Sequence, residues 1–62
     1  MNNQEAEILK KGDTIAFHHN YSIVDGKILK KNIMNDGVID FVIKLKDGLL
    51  RRKHIDLKLY ER

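Results

Sequence analysis

The sequence predicts an all-β fold: a small five-stranded barrel preceded by a short N-terminal arm or helical turn. Three observations carry this expectation. From Lys11 onward apolar residues recur at every second position, the spacing of half-buried strands. Turn-forming stretches punctuate these runs, with Asn20 and Ser22 after the first and Asp-Gly at 36–37 and 47–48 after the next two. Finally, 62 residues without cysteine make one thin core and no more, because a domain of this size buries only about 60% of the surface its unfolded chain exposes.

Residues 1–9, MNNQEAEIL, are polar and then briefly apolar. They suffice for a helical turn or an arm but not for an independent helix, with Ile8 and Leu9 as its contacts. Residues 10–62 form the single barrel domain. In GDTIAFHH, Ile15 and Phe17 alternate with Thr14, Ala16 and His18 and define the first strand. HHNYS, residues 18–22, reads as a loop in which Asn20 tolerates a left-handed backbone. In SIVDGKILKK, residues 22–31, Val24, Gly26 and Ile28 fall on one face, and Asp25, Lys27 and Leu29 on the other. A glycine inside a strand marks a bulge, a bend or a close backbone approach. NIMNDG, residues 32–37, turns the chain.

VIDFVIKL, residues 38–45, alternates cleanly, with Ile39, Phe41, Ile43 and Leu45 inward and Asp40, Val42 and Lys44 outward. KDGL, residues 46–49, predicts a type I′ hairpin whose two loop residues are Asp47 and Gly48, since that turn needs two positive φ angles. The register then places Leu45 opposite Leu50, Lys44 opposite Arg51, and Val42 opposite Lys53. The tail HIDLKLYER predicts a short turn at His54–Asp56 and a fifth strand with Ile55, Leu57 and Leu59 inward.

Strand order, the glycine in the second strand and the tight hairpin together resemble the SH3-like small barrels, in particular their KOW and Tudor-like groups. Lys11, Gly12, Asp13, Ile15, Phe17, Gly26 and Ile28 fit the KOW form, at one residue shorter than usual. Asn20 stands where that motif has a glycine, and Ile23 and Val24 replace its loop Lys-Gly. The resemblance covers residues 11–31 and implies a barrel that binds RNA, DNA, ribosomal or polymerase surfaces, or peptides. A methyl-ammonium cage of the Tudor type needs several aromatic walls. Phe17 and Phe41 belong to the predicted core, leaving only Tyr21 and Tyr60.

Composition excludes several classes. Without cysteine there is neither a disulfide nor a cysteine-held zinc. No stretch of signal-peptide or membrane-spanning length is apolar, so a soluble cytoplasmic protein is expected. His18 and His19 are adjacent and point to opposite faces of a strand, and His54 is remote, so no metal site is expected. No serine or cysteine nucleophile sits near a base, and turn chemistry accounts for the aspartates beside glycines; neither an enzyme nor a cofactor is expected.

Twelve Lys and Arg against nine Asp and Glu give a net charge of +3. The predicted register gathers Lys44, Lys46, Arg51 and Lys53 on the outer face of the third and fourth strands, with Arg52 and Lys58 nearby. A second set, Lys10, Lys11, Lys27, Lys30 and Lys31, surrounds the second strand, and Lys27 and Lys31 share a face with Leu29. Like charges opposed across a ladder are unfavourable unless an anion lies on them; lysines that merely deter edge aggregation are the plainer account. Two functions follow. The first is a nucleic-acid-binding module, its cations on phosphates and Tyr21 with His18 or His19 on an unstacked base. The second is an adaptor, of the kind phages and mobile elements encode, that grips a host protein complex through an exposed edge or an apolar patch of Leu29, Val42 and Leu49.

Overall fold

A computed structural model describes residues 1–61. A short helix, α1 (Asn3–Ile8), precedes four strands, β1 (Thr14–His19), β2 (Ser22–Ile33), β3 (Ile39–Leu45) and β4 (Gly48–Lys53), and a 3₁₀ turn at His54–Asp56. The strands pair antiparallel in the order β1-β2-β3-β4, a single meander sheet.

The all-β expectation holds in this coarser form, but the sheet does not close and has no fifth strand among the described residues. The C-terminal segment contributes one bridge, Leu59 with Phe17. It is held by the His18 N–H on Lys58 O and the Tyr60 N–H on Ala16 O, both 2.9 Å. The cause is a shortage of apolar face. Leu57 is buried in the core, whereas Ile55, expected inward, is carried outward by the 3₁₀ turn to 62% exposure. Charged Lys58 and Glu61 flank what remains; Arg62, the last residue of the predicted strand, lies outside the described residues.

Alternation builds the core as expected. Ile15 and Phe17 from β1, Ile28 from β2, and Ile39, Phe41 and Ile43 from β3 are buried together with Leu57 and Ala6. Each large side chain removed from water stabilises the fold by about 1.5–3 kcal/mol. Ala6 ties α1 into this core, and Leu9 packs beside it while Ile8 stays exposed. The helix starts with a capping box: Asn2 Oδ1 accepts from the Glu5 N–H at 2.8 Å, and Glu5 Oε1 accepts from the Asn2 N–H at 3.1 Å. His54 is also buried, and its Nδ1 accepts the Ile39 N–H at 3.0 Å, joining the 3₁₀ turn to the start of β3.

Gly26 marks a close approach. A Cβ there would collide with Ile43 Cγ2 and stand 3.2 Å from both Leu45 Cδ2 and Phe17 Cε1. The bulge lies further along, at Leu29, where the β2–β3 register shifts between Ile28 and Lys30.

The two tight hairpins exchange their expected characters. The HHNYS loop is a two-residue reversal at Asn20 and Tyr21, whose φ angles of +49° and +64° have the sign pattern of a type I′ turn. The β3–β4 turn instead uses Lys46 and Asp47, neither at positive φ, and Gly48 opens β4 opposite Leu45. Every β4 residue keeps its expected face but has a different partner. Leu50 lies against Ile43 rather than Leu45, and Lys44 faces Leu49 rather than Arg51. This register buries Leu50 nearer the centre of the core and avoids opposing two cations.

Candidate nucleic-acid interface

The outer face of β2, β3 and β4 is assembled in rows across the ladders. Lys27 stands opposite Lys44 and Lys44 opposite Leu49; Lys30 opposite Val42 and Val42 opposite Arg51; Asn32 opposite Asp40 and Asp40 opposite Lys53. These positions alternate with Phe41 and Ile43 and so project away from the core. Lys27, Lys30, Lys44, Arg51 and Lys53 are all exposed. Successive rows are about 6.6–6.8 Å apart, two residues of strand rise.

The bulge decides which lysines of β2 belong here. Uninterrupted alternation would send Leu29 and Lys31 outward. The extra residue instead puts Lys30 beside Val42 on the outer face and Lys31 beside Phe41 on the inner side. Lys31 therefore does not share a face with Lys27, contrary to the expectation from spacing. Its ammonium donates to Glu7 O at 2.9 Å and Leu9 O at 2.8 Å, closing the C-terminal end of α1, where a cation also opposes the helix dipole. Lys30 takes the place assigned to Lys31; the only hint in the sequence was an apolar Leu29 at a position that alternation directs to solvent.

Arg51 donates through Nε to Asp40 Oδ2 at 2.7 Å, the only ion pair among the described residues. Lys27, Lys30, Lys44 and Lys53 thus face solvent with no acid in contact. The expected opposition of Lys44 with Arg51 is absent: Lys44 meets Leu49 on β4, and the opposed cations are instead Lys27 and Lys44 across β2 and β3. Arg52 lies opposite Phe41 on the inner side, and Lys58 runs beside β1, so neither joins the outer cations.

Lys46, His19 and Tyr21 occupy one end of the sheet. The β1–β2 and β3–β4 turns border a cleft of about 560 Å³ lined in part by His19, Asn20 and Lys46. The His19 ring rests 6.3 Å from Phe17, and its Nε2 is 3.3 Å from Asn20 Nδ2. Tyr21 projects from the turn fully exposed. His18 points the other way, edge-on to Tyr60 at 6.1 Å.

Of the apolar patch expected for an adaptor, Leu49 is exposed at 67%, while Leu29 and Val42 are half-buried. No helix among the described residues is long and apolar enough to cross a membrane. Comparison with protein-family models, with curated proteins and with solved structures finds no match to this chain.

Proposed function

We propose that the protein is a small non-enzymatic nucleic-acid-binding module that lays a single strand along the outer face of β2–β4. Lys27, Lys30, Lys44 and Lys53 neutralise successive phosphates and Arg51 lends partial charge beside them. The observation that carries this reading is Lys27 directly opposite Lys44. Facing side chains have Cβ atoms about 4.5–5.5 Å apart, and like charges so placed cost the sheet up to about 1 kcal/mol. A phosphate resting on both ammonium groups reverses that cost.

A single strand fits better than a duplex, because the face is a sheet of short rows with no helix to enter a groove, and strands with splayed bases suit such surfaces. The KOW-like resemblance supports the same reading. Lys11, Gly12 and Asp13 make the turn leading into β1, and Leu59 meets Phe17 where the fifth strand of an SH3-like barrel would run.

The test is fluorescence anisotropy with labelled single-stranded RNA, single-stranded DNA and duplex over a salt series. Four free cations at about 0.7 per phosphate give a log-log salt slope of about −2.8 for a single strand. Absence of binding to any of the three at about 50 mM salt refutes the proposal.

A second reading has its own observation. The outer edge of β4 is unpaired among the described residues, with Leu49 and Ile55 exposed beside it, which suits an added strand from a protein partner. Glutamate at Lys27 and Lys44 abolishes nucleic-acid binding and leaves such an edge contact intact.

A further inference from the structure

We infer that the cleft between the two hairpin turns seats one unstacked guanine base of the strand whose phosphates lie on the basic face; this rests on the nucleic-acid reading above. Continuity is the first ground. Lys46, in the turn two residues past Lys44, and Asp25, two residues from Lys27 along β2, both line the cleft. A strand tracking the cationic rows from Lys53 past Arg51 and Lys30 to Lys44 and Lys27 arrives at this opening.

Charge is the second ground. Asp25 and Asp47 outnumber the single Lys46 at the cleft, so a phosphate is repelled there while an uncharged group rich in N–H donors is favoured. At the core-facing side of this opening, the half-buried side chains of Val24 and Leu45 add an aliphatic surface for a flat ring. The volume, about 560 Å³, lies within the range of about 300–1,000 Å³ usual for small-ligand clefts.

Donor geometry selects the base. Guanine presents N1–H and N2–H side by side, and a carboxylate accepts such a pair through both oxygens. Uracil offers one N–H between two carbonyl oxygens, which a carboxylate repels. Adenine and cytosine each place an amino group next to an acceptor nitrogen. Tyr21, exposed on the turn beside the cleft, offers its ring to the adjoining base.

The experiment compares binding of a short oligouridine with the same oligomer carrying one central guanosine, at fixed low salt, for the wild type and for Asp25→Asn, Asp47→Asn and the double variant. The guanosine oligomer binds the wild type about tenfold more tightly, the scale of one good bidentate base contact. The double variant loses that difference and binds oligouridine at least as well as the wild type, because it has shed negative charge; retained oligouridine binding also shows that it is folded. Equal affinity of the wild type for both oligomers overturns the guanine site and leaves the phosphate-binding face standing. Guanosine preference that survives in the double variant also overturns it, by removing the carboxylates from the contact. If neither oligomer binds the wild type, the nucleic-acid reading fails and the guanine site with it.

Discussion

Arg51 hydrogen bonds to Asp40 at 2.7 Å although the residue directly opposite Asp40 on β4 is Lys53. The guanidinium reaches diagonally across the ladder to the carboxylate; the Asp40 side chain is 10% exposed and that of Arg51 71% exposed. One partner is therefore desolvated and the other is not. Arg51→Ala strips a nearly buried carboxylate of its donor and costs about 1–3 kcal/mol in urea unfolding. Asp40→Asn with Arg51→Gln together cost less than the sum of the two single changes. A loss below about 0.3 kcal/mol for Arg51→Ala means that solvent replaces the guanidinium freely. Arg51 is consequently a poor probe of ligand binding, since its removal disturbs the sheet itself.

Lys44 is the better probe. Lys44→Glu turns the opposition with Lys27 into an attraction, worth about 0.2–1 kcal/mol between exposed partners. The melting temperature holds or rises while affinity for a single strand falls at least tenfold at low salt. A lower melting temperature contradicts the assigned register, and unchanged affinity removes the phosphate role from this face.

Tyr21 occupies the second turn position, where hairpins of this kind favour glycine, with φ at +64°. A left-handed backbone costs a residue with a Cβ about 1–2 kcal/mol, and the ring recovers nothing by burial because it is fully exposed. Tyr21→Gly raises stability by up to about 1 kcal/mol, part of the strain relief being offset by the greater entropy of glycine in the unfolded chain. If the ring stacks on a base, the same change weakens binding by about 1–3 kcal/mol. A variant that is more stable and binds undiminished has lost nothing functional.

Gly26→Ala tests the contact between β2 and β3. The new methyl group meets Ile43 Cγ2 in the fully buried centre of the sheet, and overpacking of this kind costs about 1–3 kcal/mol. Ile43→Ala, which removes the colliding atom, is less damaging in the Gly26→Ala background than in the wild type, a coupling that a double-mutant cycle measures. Strict additivity of the two changes places the obstruction elsewhere.

Much of this is legible in the residues alone. Ile39, Phe41 and Ile43 announce a strand and its buried side because alternation is local: each residue's side of the sheet follows from its neighbours two positions away. Residues 1–9 were legible only as a helical turn or an arm; the Asn2–Glu5 capping box that starts the helix emerges from the structure, and six residues hold a helix only because Ala6 is packed in the core. The Asp-Gly at 47–48 pointed to the wrong loop residues. Turn preference is weak beside the burial gained when Leu50 meets Ile43, and that gain depends on β3 being present.

The sequence by itself determined the first four strands, most of their inward residues and the excess of positive charge, all properties of short stretches of chain. Tertiary structure alone decided which charges meet. An unpaired Leu29 moved Lys30 to the outer face and Lys31 under α1, a β3–β4 turn displaced by one residue set Lys44 against Leu49 rather than Arg51, and the β2–β3 pairing set it against Lys27. Opposition across a ladder is a relation between distant segments, and its geometry is chosen by whichever register buries the most apolar surface while leaving no backbone group unpaired.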